Sequence, residues 1–180
     1  TKMNVFYRGL PNPVDISVPG VAEDKLTVRI SGGHKIKKGS DGYVVEPGSS
    51  KEATINVSAQ MPDGSNKNLP GADFRVKRIP DPVPKVAGKT PSDRTINKTD
   101  LINAPSVGAG MVNFDFDVKV RVKSFNISVS RGGNLTELSA STNRISSDMK
   151  ELLNSCTRGS IVYIDNIVVS MPDGTDRAVA

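Results

Sequence analysis

Three prolines at alternate positions constrain this 180-residue chain more than any other feature of its sequence. Pro80, Pro82 and Pro84 each lack a backbone N–H, hold φ at about −65° and disfavour helical geometry in the preceding residue. The stretch around them can therefore form neither a helix nor an interior strand. Proline at this density is typical of an extended, semi-rigid spacer. We predict that residues 80–87 link a domain at 1–79 to a domain at 88–180, and that the three prolines form a hinge.

A repeated turn motif on either side of the prolines suggests two domains of related plan. Met61–Gly64 and Met171–Gly174 both read Met-Pro-Asp-Gly, and glycine pairs precede them at Gly32–Gly33 and Gly132–Gly133. Pro-Asp-Gly and Gly-Gly are also common turn residues in β proteins of every kind. A shared plan and an independent use of the same turn chemistry therefore both remain open.

The first half of the chain alternates apolar and polar residues in short runs, which is the pattern of strands with one buried face. The predicted strands are Met3–Tyr7, Val14–Val18, Leu26–Ser31, Lys35–Lys37, Tyr43–Glu46, Ala53–Ala59 and Phe74–Ile79. The third and fourth of these flank the Gly32–Gly33 turn and predict a hairpin. About seven short strands without a helical period are typical of a small antiparallel β-sandwich.

The longest β signal lies in the second half, at Asn113–Arg131. Apolar residues occupy even positions from 114 to 122 and odd positions from 125 to 129, so the parity changes at Lys123–Ser124. A strand cannot turn its apolar face over without an inserted residue, and the change therefore predicts a bulge or a crossing between sheets. Gly132–Gly133 then predicts a hairpin that returns through Asn134–Ser141.

One segment of the second half has helical spacing. Ser146 or Ser147 can cap it and Arg158–Gly159 can end it, which predicts a short helix near 146–156. Its apolar face comprises Ile145, Met149, Leu152, Leu153 and Cys156. Ser160–Val169 predicts a buried strand and Asp176–Ala180 a last short one. The predicted fold is all-β, with two small antiparallel β-sandwich domains of immunoglobulin-like architecture in tandem.

The charge of the chain does not indicate a nucleic-acid partner. The 24 basic and 19 acidic residues give a net charge of +5, but the basic residues are scattered along alternating strands. Base stacking needs exposed aromatic side chains, and the chain has five phenylalanines, three tyrosines and no tryptophan. Because the sequence begins at Thr1 without an initiator methionine or a signal peptide, we expect it to be a fragment of a longer protein.

Candidate catalytic and metal-binding residues all have simpler interpretations. His34 adjoins a glycine turn and is expected at the surface, and Cys156 is expected in the core because it lies on the apolar helix face. Asp115 and Asp117 share a strand face that continues with basic residues, which favours a solvated face over a metal site. Gly88–Thr90 resembles the end of a phosphate-binding loop but lacks the glycine five positions earlier. We expect no enzyme activity, catalytic residue, cofactor, metal or small-molecule substrate.

Four segments carry a resemblance to a known family, in the order in which that family has them. They are Asn4–Gly20, Ile79–Lys89, Asn113–Gly133 and Asp165–Arg177, and the specific parts are the Asn-Pro turn and the strand Asn-Phe-Asp-Phe-Asp. The chain resembles the C-terminal periplasmic β domains of the GldM/PorM family. Members of that family carry an N-terminal membrane helix and further periplasmic domains, which fits the expectation of a fragment.

The resemblance implies a structural role in the type IX protein secretion and gliding-motility machinery. It implies a homodimer in the periplasm, anchored in the inner membrane with GldL/PorL through the N-terminal helix and reaching the outer-membrane-associated GldK/GldN (PorK/PorN) ring. The family has no active site to transfer, and the binding surface is unknown. The alternative is an extracytoplasmic carbohydrate-binding or adhesive β-sandwich module, which would need a platform of exposed aromatic residues.

Overall fold

A computed structural model describes residues 4–179 of the chain. Its contacts divide into two compact units, Thr1–Ile79 and Pro80–Ala180. Strands account for 46% of the residues and helices for 10%, which confirms the all-β fold class. Met3 and Ala180, which begin and end two of the predicted strands, lie outside the described residues.

The first unit contains two sheets. Its strands are β1 (Val5–Tyr7), β2 (Asn12–Val14), β3 (Leu26–Ile30), β4 (Lys35–Gly39), β5 (Gly42–Glu46), β6 (Glu52–Gln60), β7 (Asn66–Asn68) and β8 (Ala72–Lys77), with a short 3-10 helix at Glu23–Lys25. One sheet has five strands in the order β1-β8-β6-β3, with β7 beside the end of β6, and the other has three in the order β2-β5-β4. The pair β1 and β8 is parallel.

One apolar cluster holds the first unit together. Phe6, Ile55 and Val76 come from the five-stranded sheet and Val45 from the three-stranded sheet, and all four are buried in the same core. Phe6 also stacks on Phe74, with ring centroids 4.2 Å apart. The first unit is therefore two sheets around one core, while the immunoglobulin-like strand arrangement stays a prediction.

The predicted hairpin around Gly32–Gly33 is wrong, because β3 and β4 belong to different sheets. The chain crosses between the two sheets at Gly32–Gly33, where two backbone segments approach closely. Gly32 has φ +81°, and a Cβ there would lie 2.6 Å from the Glu52 carbonyl oxygen. His34 is buried here, so its predicted surface position is also wrong.

The imidazole of His34 joins two backbone segments of the first unit. The Gly48 N–H donates to Nδ1 at 2.8 Å, so Nε2 carries the hydrogen and donates to the Glu52 carbonyl at 2.9 Å. Both ring nitrogens therefore hydrogen-bond to the backbone, and they stabilise the place where the chain crosses from one sheet to the other. His34 is a structural residue.

The second unit combines a four-stranded sheet, a two-stranded sheet and two helices. Its elements are β9 (Val83–Val86), α1 (Lys98–Asn103), β10 (Val107–Gly110), β11 (Arg121–Arg131), β12 (Asn134–Ala140), α2 (Ser147–Asn154), β13 (Ile161–Ser170) and β14 (Asp176–Ala178). The larger sheet has the order β12-β11-β13-β14, and β9 pairs with β10. In the described part of the second unit, α1 is a helix in addition to the one predicted near 146–156.

The parity change at Lys123–Ser124 is a bulge, as predicted. Val122 pairs with Val169 and Ser124 pairs with Val168, so Lys123 has no partner in the register. The inserted residue lets the apolar side chains before and after it face the same core, where Val122, Phe125, Ile127 and Val129 are buried. The hairpin of β11 and β12 around Gly132–Gly133 is confirmed as well.

The strand is shorter than its alternation predicted. β11 begins at Arg121, and residues 113–120 are not part of a described strand. Asn113 has φ +53°, a left-handed conformation that interrupts extended backbone. Alternation of apolar and polar residues indicates only that one face of the segment is buried. A strand also needs a neighbouring strand to which its backbone groups can hydrogen-bond.

The predicted helix is confirmed as α2. Ser146 Oγ accepts a hydrogen bond from the Met149 N–H at 3.3 Å, which caps the first turn. At the other end, Lys98 Nζ of α1 donates to the Asn154 and Cys156 carbonyls, both at 2.7 Å. A cation at this position neutralises the negative end of the helix dipole.

Candidate functional site

The segment that carries the predicted hinge, residues 80–86, is called here the leading segment of the second unit. Pro80 is exposed, whereas Pro82 and Pro84 are buried. Pro84 lies in β9 opposite Ala109 of β10. A two-stranded ribbon has only edge strands, where a missing N–H is tolerated. Residues 83–86 of the predicted linker are therefore paired strand rather than free spacer.

Arg177 fastens the leading segment to the C-terminal turn. Its Nη1 donates to Asp81 Oδ1 at 3.0 Å, its Nη2 donates to Asp173 Oδ2 at 2.8 Å, and Nε approaches Thr175 Oγ1 at 3.4 Å. Only 7% of the Arg177 side chain is exposed. A buried guanidinium is stable only when acceptors surround it, and these three groups supply them. The result is a direct link between the two ends of the second unit, across 96 positions of sequence.

The turn that holds Arg177 repeats a turn of the first unit. Asp63 Oδ1 accepts from the Ser65 N–H at 2.9 Å and from Ser65 Oγ at 2.6 Å. Asp173 Oδ1 accepts from the Thr175 N–H at 3.0 Å and from Thr175 Oγ1 at 2.6 Å. The Met-Pro-Asp-Gly motif is thus one local structure built twice, although the glycine pairs before it form different connections.

The aspartates of both turns are held in the ionised form. Hydrogen bonds from Ser65 keep the pKa of Asp63 below its ordinary value. Burial raises the pKa of Asp173, but hydrogen bonds from Thr175 and Arg177 outweigh that effect and keep the pKa below its ordinary value. The two segments differ in how their basic residue is placed: Lys67, which corresponds to the buried Arg177, is exposed.

The other candidate residues do not come together as a site. Asp115 and Asp117 are exposed, and Cys156 is buried as predicted. In residues 4–179, no group of three or more His, Cys, Asp or Glu side chains is placed to hold a metal ion. Tyr163 is the one aromatic residue of the described chain that is largely exposed. A sugar-binding platform of several aromatic rings is therefore not formed by these residues.

Sequence reasoning missed Arg177 and its partners. The aspartate between Pro80 and Pro82 and the arginine after the last turn carry no local signal that they meet. One signal was available: Arg177 follows Asp173 by four positions in a motif whose first copy has lysine there, and arginine makes paired contacts that lysine does not.

Two family models cover nearly all of the chain. The model described as GldM third domain matches residues 1–77, and the model described as GldM C-terminal domain matches residues 80–180. The chain belongs to the GldM family. The boundary between the two matches falls beside Ile79, where the contacts also divide.

Membership in the GldM family makes the chain a component of the gliding-motility and type IX secretion machinery. The C-terminal domains of this family are extracytoplasmic structural components. Among curated proteins, none matches the chain. None of the described helices has the length and apolar character that crossing a membrane requires.

Proposed function

We propose that this chain is the part of a GldM homodimer that transmits force from the inner-membrane motor to the outer-membrane-associated ring. It acts through protein–protein contacts in the periplasm, and GldL/PorL and the GldK/GldN (PorK/PorN) ring are its partners. The observation that carries the proposal is the anchored leading segment. Through the contact between Asp81 and Arg177, tension applied at Pro80 is passed to the rest of the second unit.

The path of force inside the second unit follows from its contacts. Tension at Pro80 acts next on Asp81 and then on β9. Asp81 is bonded to Arg177, which lies in β14. The turn before Arg177 joins β13 to β14 in the four-stranded sheet. Hydrogen bonds between charged groups are about twice as strong as those between neutral groups. The link therefore resists separation of the leading segment from the sheet.

We also propose that bending between the two units occurs at Pro80. Of the three residues predicted to form the hinge, Pro80, Pro82 and Pro84, only Pro80 acts as the hinge. Asp81 is bonded within the second unit, and Pro84 is paired in β9, so neither is free to pivot. Pro80 is exposed, and its fixed φ limits the range of directions that the chain can take there.

Binding to the purified GldK/GldN ring tests the proposed function. The 180-residue chain should be retained by immobilised ring, and chemical cross-linking should join the two. A matched chain heated to unfolding controls for nonspecific capture. Absence of binding by the folded chain would contradict the proposed role, and specific glycan binding in its place would favour the adhesive alternative.

A further inference from the structure

A groove of about 330 Å³ lies beside β13 in the second unit. Its lining includes Val162, Ile164 and Ile167 of β13 together with Val86 of β9 and Val107 of β10. Ligand sites for small molecules range from about 300 to 1,000 Å³, so this groove is at the small end of that range. Its size and aliphatic lining suit a few side chains of a peptide better than a large cofactor.

The strand edge next to this groove is open. β11 pairs with Ile161–Asp165 on one side of β13, whereas β14 pairs only with Val168–Ser170 on the other. Within the described residues, no strand pairs with residues 161–166 on the β14 side. An open edge presents backbone donors and acceptors that another extended chain can use.

β9 also lines the groove, but it offers few free backbone groups to this edge. Pro84 has no N–H, and the Val86 N–H and carbonyl are both bonded to Lys89, at 3.0 and 2.8 Å. β9 is thus blunted as a pairing partner. The open edge of β13 is left available to a segment from outside the unit.

Side chains on the open edge also indicate a protein partner. Ile161 and Tyr163 keep 54% and 48% of their surface exposed. Asp165 shares their strand face, and its Oδ1 is buried without a hydrogen-bond partner in the described chain. Asp165 as a residue is partly exposed, so an arriving cationic donor can pair with its carboxylate. Two exposed apolar side chains next to this acceptor form a small docking surface.

We propose that the partner of the second unit binds here by strand addition, as an extended segment that pairs with residues 161–166 of β13. This inference rests on the proposed function and identifies its contact surface. The segment carries aliphatic side chains at alternate positions, for the groove, and a lysine or arginine that reaches Asp165. Lys85 and Arg94 also line the groove. The arriving segment therefore also carries an acidic residue, next to its own lysine or arginine, that pairs with these two side chains.

Amide hydrogen exchange on the 180-residue chain, with and without purified GldK/GldN ring, tests this inference. Exchange at residues 161–166 should slow when the ring is added. Tyr163→Lys and Asp165→Asn should each weaken ring binding about tenfold, because they remove an apolar contact and a charged acceptor. Asp165→Asn preserves shape and serves as the variant least prone to misfolding.

Leu135→Lys is the matched control. Leu135 is 61% exposed on β12, at the other edge of the same sheet. The control should bind the ring as the wild-type chain does, because strand addition at β13 does not involve β12. Equal loss of binding in Leu135→Lys and Tyr163→Lys would show docking on the sheet face and would overturn strand addition.

Three other results are distinguishable. Ring binding without protection at residues 161–166 would overturn this inference and leave the proposed function standing. Protection that appears in the chain alone and grows with its concentration would assign the edge to a second copy, which also overturns it. Failure of the wild-type chain to bind the ring would overturn both proposals.

Discussion

Arg177 Nη1 lies 3.0 Å from Asp81 Oδ1, and this contact ties the first residues of the second unit to its last turn. Asp81 is 59% exposed, whereas the arginine side chain is almost fully buried. The contribution of this contact to the stability of the second unit therefore depends mainly on the buried Arg177. Without the arginine, Asp173 loses its charged donor and the leading segment loses its link to the turn.

Arg177→Met should destabilise the second unit by about 2–3 kcal/mol, because a partly buried Asp173 is left without its charged donor. Lys67→Met is the matched control at the corresponding position of the first turn, and it should change stability by less than about 0.5 kcal/mol. Urea unfolding followed through NMR signals of each unit measures both. Equal effects of the two substitutions would contradict a special role for Arg177.

The second unit should lose stability in acid through Asp173. The pKa of Asp173 is lower in the folded chain than its ordinary value of 3.8. Its stabilising contribution is therefore complete above that value and is lost as the pH falls through the lower folded-state pKa. Urea midpoints of the second unit between pH 2 and 7 should show this loss, and Asp173→Asn should reduce it. An unchanged acid dependence in Asp173→Asn would contradict the assignment.

His34→Ala should destabilise the first unit by about 1–3 kcal/mol, because the Gly48 N–H and the Glu52 carbonyl lose their partner. Thermal unfolding monitored by NMR signals of the first unit measures the change. The second unit provides the internal control and should melt as in the wild-type chain. Wild-type stability of both units would show that the imidazole is dispensable.

Pro80→Gly should broaden the distribution of distances between spin labels placed on the two units, whereas Pro84→Gly should leave it near that of the wild-type chain. Glycine removes the restriction on φ at Pro80, but Pro84 is held in β9 by its pairing with β10. Labels on Ser40→Cys and Thr136→Cys report the distance, since both positions are exposed. Broadening by Pro84→Gly alone would place the pivot inside β9.

Local features of the fold were predictable from the sequence. The bulge at Lys123 follows from alternation of period two, and α2 follows from a cap and one apolar face. A second bulge, at Asn166 with φ +49°, was not predictable, because β13 is apolar at both parities around it. Turn chemistry at Gly32–Gly33 specified a reversal of the chain but not which sheet receives the next strand.

The candidate site was predictable only where its chemistry is local. The prolines identified the leading segment, because each restricts its own backbone and that of its neighbour. Its attachment depends on Arg177, far away in sequence, and the open edge of β13 depends on where β14 stops pairing. Both are consequences of tertiary packing, which a single sequence does not display.

Pulling the full chain by its two ends in an optical trap tests most directly whether the leading segment is built into the second unit. The two units differ in length, so their unfolding steps are distinguishable. Arg177→Met should lower the unfolding force of the second unit and leave that of the first unchanged, as should Asp81→Asn to a smaller degree. Unfolding forces for the second unit that match the wild-type chain in both variants would contradict the proposed path of force.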